Sequence, residues 1–99
     1  MQPDAQHVLN HPLNNIIFHS LMACTRVLVE LERDGLEVIG IDVFGKRTTI
    51  HVRNSEVTQA MILAERACYY RWQKADGEYQ RFGQFQVEKC RVIWVERGH

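Results

Sequence analysis

The residues whose spacing comes nearest to a metal site are three histidines near the start of the chain. His7 and His11 stand four positions apart, and His19 follows eight positions later. Protein zinc sites usually complete such sets with thiolate or carboxylate ligands, and none stands at a suitable position here. The sequence therefore predicts no metal site and no cofactor, and we interpret these histidines as exposed or helix-end side chains.

The cysteines and serines do not form the arrangement that a nucleophilic enzyme needs. A nucleophile requires a base within reach and a third group that orients the base. Cys24, Cys68 and Cys90 fall on apolar stretches and are odd in number, so we interpret them as buried thiols. Neither Ser20 nor Ser55 lies in a GxSxG turn, and the sequence holds no phosphate-binding glycine loop. We expect a protein that is not an enzyme and takes no small-molecule substrate.

His51 and Asp42 keep a catalytic alternative open. Both are predicted on the outer face of a β-hairpin, where a histidine and a carboxylate on adjacent strands can share a proton. A small hydrolase or isomerase built on this pair is the third hypothesis for the function. We rank it below the binding functions because solvated cross-strand contacts of this type are far more common than catalytic ones.

The densest group of chemically useful side chains is basic and aromatic. Aromatic rings stack on unpaired bases and arginines contact phosphates, but tyrosine, tryptophan and arginine are also enriched in protein interfaces. The partner-binding residues that we predict are Leu63, Arg66, Tyr69 and Tyr70, with Phe44 and Arg47 as a second patch. For a nucleic-acid ligand, the additional predicted residues are Lys46, Arg53, Arg71 and Lys74.

Two binding functions follow from this group. The leading interpretation is a small binding protein that forms a homodimer, or acts as an adaptor or inhibitor of a larger protein assembly. The alternative is a nucleic-acid-binding module that uses the same basic and aromatic segment. Small domains of this kind are common among phage and other mobile-element proteins, and we expect such an origin.

The charge is divided between the two parts of the chain, although its formal total is zero. Residues 1–44 hold two basic and six acidic residues, a net charge of −4, whereas residues 45–99 hold ten basic and six acidic residues, a net charge of +4. This division suits head-to-tail pairing or one basic face, and it falls short of a strongly basic nucleic-acid binder.

A helix and a hairpin are predicted in the first half of the chain. Apolar residues recur every three or four positions from Leu13 to Leu31, Pro12 suits a first turn, and Gly35 suits a helix end. From Leu36 to Arg53 the period changes to two, which is typical of a hairpin. We place its two-residue turn at Gly45–Lys46, which sets Ile41 opposite Ile50.

The second half is predicted as a helix followed by a strand. Asn54 or Ser55 can cap a helix from about Glu56 to Ala75, which includes the aromatic stretch from Val57 to Trp72. Cys90 to Val95 is the clearest strand, and residues 80–87 fit either a loop or a strand.

These elements must belong to one small domain, because a chain of 99 residues with 45% hydrophobic and 24% charged residues has the size and composition of a single globular unit. We predict a flexible arm over residues 1–9 and an α+β domain over residues 10–99. Its expected order is α-β-β-α-β, with an antiparallel hairpin and at least one C-terminal strand packed by two helices. No apolar run can cross a membrane and the start does not resemble a secretory signal, so we expect a cytoplasmic protein.

Overall fold

A computed structural model describes residues 9–98 as two helices on one face of a five-stranded mixed sheet. The elements in chain order are α1 (Pro12–Arg33), β1 (Val38–Asp42), β2 (Thr49–Val52), α2 (Glu56–Leu63), β3 (Cys68–Ala75), β4 (Glu78–Val87) and β5 (Cys90–Gly98). The α+β class and the two helices are as predicted, whereas the predicted order α-β-β-α-β lacks two strands. The predicted arm lies, except for Leu9, outside the described residues, and so does His7.

Helix α1 begins and ends where the sequence indicated. Pro12 occupies the first turn, where its missing N–H costs no helical hydrogen bond. Gly35 follows the helix with a φ of 84°, and the Leu36 N–H donates to the Leu31 carbonyl at 2.9 Å. These features form a Schellman motif, in which a left-handed residue ends the helix.

The β1–β2 hairpin pairs Ile41 with Ile50 as predicted, but its connection is longer than two residues. The Asp42 carboxylate accepts a hydrogen bond from the Phe44 N–H at 3.0 Å, which turns the chain away from the ladder. Residues 43–48 therefore form a loop, and the predicted two-residue turn is wrong.

The helix predicted over Glu56–Ala75 is wrong beyond Leu63. Glu65 has a φ of 59°, and the Arg66 N–H donates to the Met61 carbonyl at 2.9 Å. This is the same Schellman motif that ends α1, with a glutamate in the left-handed position instead of a glycine. Because a glutamate is not a usual helix-end signal, the apolar periodicity alone carried the prediction too far.

The aromatic segment after α2 is strand β3, which forms a hairpin with β4. Its turn residues, Asp76 and Gly77, have φ values of 53° and 80°. Two left-handed residues in this position form a type I′ turn, for which Asp-Gly is a favoured sequence. Residues 80–87, which the sequence left undecided, belong to β4.

The strand order is β1-β2-β5-β4-β3, with β2 and β5 parallel and the other neighbours antiparallel. The connection from β2 to β5 contains α2 and the β3–β4 hairpin, and it supplies the crossover that parallel strands need. The core lies between the helices and one sheet face; its largest buried side chains are Trp94, Leu31, Ile50, Val27, Val52 and Val92. No helix of residues 9–98 has the length and apolar character needed to cross a membrane.

Two of the three thiols are buried as predicted, and the third is not. Cys24 and Cys90 belong to the core. Burial, followed by the neighbouring Cys24 thiol, raises the pKa of Cys90 to about 11. Cys68 begins β3 on the opposite sheet face and is exposed, so its interpretation as a core residue is wrong.

The sheet face opposite the helices has none of the described elements packed over it, and we call it the open face. Alternation along β5 turns Val92 and Trp94 toward the helices and Arg91 and Ile93 to the open face. Strand pairing extends this assignment to Thr49, His51, Cys68, Tyr70, Arg71, Gln73, Gln80, Phe82, Gln84, Gln86, Val95 and Arg97.

Candidate functional site

Two aromatic rings and two aliphatic side chains form an apolar patch on the open face, across β3, β4 and β5. The ring centroids of Tyr70 and Phe82, on adjacent strands, are 6.1 Å apart. Ile93 and Val95 continue the apolar surface on β5. An irregularity in β3 brings Arg71 and Tyr70 to the same face, because a bulge sets two residues opposite one.

Two arginines flank these rings. The guanidinium carbon of Arg91 lies 4.3 Å from the ring centroid of Tyr70, and that of Arg71 lies 5.1 Å from the ring centroid of Phe82. Both distances are within the range of cation–π attraction. The open face therefore combines stacking surfaces with positive charge.

Glutamines, not carboxylates, hold the arginines of this region. A guanidinium N–H donates to a glutamine side-chain oxygen in Arg47–Gln86 (2.9 Å), Arg71–Gln73 (2.7 Å) and Arg91–Gln84 (2.7 Å). A neutral partner orients a guanidinium group without cancelling its charge. The salt bridges of the described chain lie elsewhere: Arg26–Glu88, Arg53–Glu37 and Arg81–Glu96. The arginines of the open face are thus oriented but not neutralised.

A cleft of about 720 Å³ lies at one end of the open face. The loop of residues 43–48 and the segment of residues 65–67 border it, and open-face side chains from β2, β4 and β5 line it. Its charged lining residues are Lys46, Arg47, Arg66 and Arg91 against Glu65. This excess of cations makes the cleft suited to an anionic group.

The structure brings most of the predicted site residues together. Phe44, Arg47 and Arg66, predicted to bind a partner, line the cleft with Lys46, predicted for nucleic acid. Tyr70 and Arg71 lie on the adjoining apolar patch of the open face. Six residues from the two predicted sets therefore form one continuous surface.

Three other predicted residues neither line the cleft nor contact the rings of Tyr70 and Phe82 among the described residues. Leu63 is the last residue of α2 and is 85% exposed. Arg53 follows β2 and its side chain pairs with Glu37 at 2.6 Å. Lys74 belongs to the helix-side face of β3, where its ammonium lies 5.3 Å from the ring centroid of Tyr79.

Tyr69 also points away from the open face, into a hydrogen-bond network around Glu96. That carboxylate is 4% exposed and accepts hydrogen bonds from the Tyr69 hydroxyl (2.9 Å), Arg81 (2.7 Å) and the Trp94 indole (3.0 Å). Burial by itself raises the pKa of Glu96, but hydrogen bonds from Trp94, Gln59 and Tyr69 and the charge of Arg81 outweigh it and hold that pKa below its usual value. The network supports the fold.

Among the described residues, neither the pair proposed for catalysis nor a set of metal ligands is brought together. His51 pairs with Gly40 and Asp42 pairs with Thr49, and the structure records no hydrogen bond between His51 and Asp42. In the part of the chain from residue 9 to 98, no three His, Cys, Asp or Glu side chains are grouped so that they could hold a metal ion.

The contributions of β5 and of the glutamines are absent from the sequence-based predictions. Arg91 and Arg97 alternate with buried residues along β5, and the same alternation places Gln84 and Gln86 on the open face of β4. The alternation of Gln84, Phe85, Gln86 and Val87 in β4, and of Cys90, Arg91 and Val92 at the start of β5, was the available signal. It was obscured because Val92 to Val95 are consecutive apolar residues.

Comparison with known proteins places the chain in one family. No curated protein and no solved structure matches it. The profile of a family described as "Uncharacterised protein" matches residues 5–97. Because this match spans nearly the whole chain, the protein belongs to that family.

Proposed function

We propose that this protein is a non-enzymatic module that binds single-stranded nucleic acid on the open face. The observation that carries the proposal is the set of arginines that glutamines orient and no carboxylate neutralises. Two of them, Arg71 and Arg91, lie against the rings of Phe82 and Tyr70. Phosphates are the natural counter-charge for such guanidinium groups, and bases stack on such rings.

The placement of the aromatic rings on a sheet face favours a single strand over a duplex. A duplex hides the faces of its bases, whereas the bases of a single strand can be splayed out and stacked on aromatic side chains. Tyr70 lies on the edge strand β3 and Phe82 on the neighbouring strand β4, and neither is on a helix that could enter a major groove. The surface therefore supports stacking and gives little support to groove reading.

The glutamines add groups that recognise base edges. A side-chain amide both donates and accepts hydrogen bonds, so it can pair with the exposed edge of any base. Gln80 is on the open face next to Phe82, and its amide already bonds to Gln73 at 2.6 Å. A binding surface that is rich in amides suits a polar ligand with many donors and acceptors.

The open face and the adjoining cleft carry a net positive charge, whereas the net charge of the whole chain is zero. Their cations are Lys46, Arg47, Arg66, Arg71, Arg91 and Arg97, and their carboxylates are Asp42, Glu65 and Glu78. Six positive and three negative groups leave a net charge of +3 on one side of a chain whose total is zero. A polyanion is therefore attracted over a long range toward this side of the chain.

Fluorescence anisotropy with labelled oligouridylate and oligothymidylate of about 12 nucleotides tests the proposal, since binding sites of single-strand modules span about 4–16 nucleotides. We expect binding that weakens steeply with salt, with a log–log slope of about −0.7 for each phosphate contacted. The variants Tyr70→Leu, which removes the ring, and Arg91→Gln, which removes the charge, should each raise Kd about 10-fold.

Arg26→Gln is the matched control, because Arg26 is an exposed arginine of α1, which packs on the other side of the sheet. It should leave Kd within about twofold of the wild type, as expected of a contact outside the site. Comparison of the two oligomers distinguishes RNA from DNA. Absence of binding at low salt, or equal binding of polyglutamate with no effect of Tyr70→Leu, would overturn the proposal.

A further inference from the structure

Helix α1 exposes apolar side chains that no described part of the chain covers. Its buried residues, Cys24, Val27 and Leu31, all belong to its second half. Four large apolar side chains of the first half are exposed: Leu13 (64%), Ile16 (55%), Leu21 (48%) and Met22 (53%). Exposed apolar surface of this extent is typical of an interaction site.

The exposed residues surround the helix and do not form a single stripe. At 100° per residue, Leu13 lies at the same angle as the buried Leu31, and Ile16 lies beside it. Met22 lies on the opposite side of the helix, and Leu21 lies between the two. Leu13 and Ile16 therefore form one patch that continues the buried stripe of α1 toward the start of the helix, and a single partner surface can cover it.

The charge pattern of α1 indicates what kind of surface can cover it. From Pro12 to Thr25 the sequence contains no Asp, Glu, Lys or Arg. Helices that lie on membrane surfaces carry Lys and Arg on their polar face, and this segment has none. A second copy of the same segment would bring no like charges together, so the segment is complementary to itself.

Within residues 9–98, no described element covers these side chains. The eight residues before Leu9 read MQPDAQHV, in which Met1 and Val8 are the only large apolar residues. Beyond the helix, Ile39 and Ile41 are also exposed on β1, a sheet-edge strand that contacts α1. An edge strand with exposed apolar side chains is itself normally covered or paired.

We infer that the first half of α1 packs against the same segment of a second copy and forms a two-fold homodimer. A two-fold interface uses the same patch on both subunits, which an uncharged, self-complementary helix provides. This interface is separate from the open face, because α1 packs on the other side of the sheet. The dimer therefore carries two open faces.

Light scattering after size exclusion, on the full chain without oligonucleotide, tests the inference. We expect a mass near twice the 11.6 kDa of one chain. The double variant Leu13→Glu/Ile16→Glu should raise the dimer Kd by about 100-fold or more, because it brings like charges together in the interface. Both side chains are exposed in one chain, so circular dichroism should show an unchanged fold.

Leu63→Glu is the matched control, since Leu63 is an exposed leucine on the other helix. It should remain a dimer, as should Met22→Glu, because Met22 lies on the opposite side of α1 from Leu13. A monomeric wild type at about 100 μM would overturn the inference, as would a dimer that survives Leu13→Glu/Ile16→Glu or that Leu63→Glu dissociates. None of these results depends on whether the open face binds nucleic acid.

Discussion

The indole ring of Trp94 lies directly over Gly83 on the adjacent strand, so that a Cβ at position 83 would overlap the ring. Trp94 is among the most deeply buried side chains, and its indole N–H donates to Glu96. Neither the strand nor the ring can move away without breaking the ladder or this hydrogen bond. The glycine is therefore required by the close approach of the indole.

We predict that Gly83→Ala lowers the free energy of unfolding by about 3 kcal/mol, the upper range of overpacking substitutions. Urea denaturation followed by tryptophan fluorescence measures this change. Gly40→Ala is the control in the same sheet, because a Cβ there would meet His51 at 3.7 Å, an ordinary contact. The packing of Trp94 on Gly83 would be contradicted by equal effects of the two substitutions.

The buried carboxylate of Glu96 should make the stability depend on pH. Its pKa is lowered in the folded protein, so its contribution is complete above the unfolded value, near 4.5, and is lost as the pH falls through the folded pKa. Glu96→Gln removes this titration. We expect the variant to be about 2–3 kcal/mol less stable at pH 7, with Arg81 left without its carboxylate.

The difference in unfolding free energy between wild type and Glu96→Gln should shrink as the pH falls below 4.5. Denaturation midpoints at several pH values between about 3 and 7 provide the measurement. Glu37→Gln removes an exposed carboxylate that also pairs with an arginine, and it should cost at most about 1 kcal/mol. A gap that stayed constant down to pH 3 would contradict a lowered pKa of Glu96 in the folded protein.

The prediction of the two helix ends shows what local sequence can and cannot reveal. Both α1 and α2 end in a Schellman motif, and both require a left-handed residue. In α1 this residue is Gly35, and a glycine is a recognisable signal for the end of a helix. In α2 it is Glu65, and a glutamate is not such a signal. Tertiary pairing of the next segment with β4 decides that ending, and pairing over such a distance is not visible in local periodicity.

The candidate site was predictable in its composition but not in its arrangement. The basic and aromatic residues could be named from the sequence, yet a helix would have placed Tyr69 and Tyr70 on neighbouring parts of one surface. In β3 the two tyrosines lie on opposite faces of the sheet, one bonded to Glu96 and one beside Arg91. The strand assignment thus divides one predicted surface into a structural network and a binding face.

Glu65 has a left-handed conformation, so the effect of Glu65→Gly on the free energy of unfolding has a sign that depends on where α2 ends. Glu65→Gly relieves a backbone that costs a non-glycine residue about 1 kcal/mol, and part of this gain is offset by the larger entropy of glycine in the unfolded chain. We expect the free energy of unfolding to rise by about 0.5 kcal/mol. If the helix instead continued through residue 65, the same substitution would lower it by about 1 kcal/mol. Ala60→Gly, at an exposed position inside α2, shows the size of that opposite effect under the same conditions.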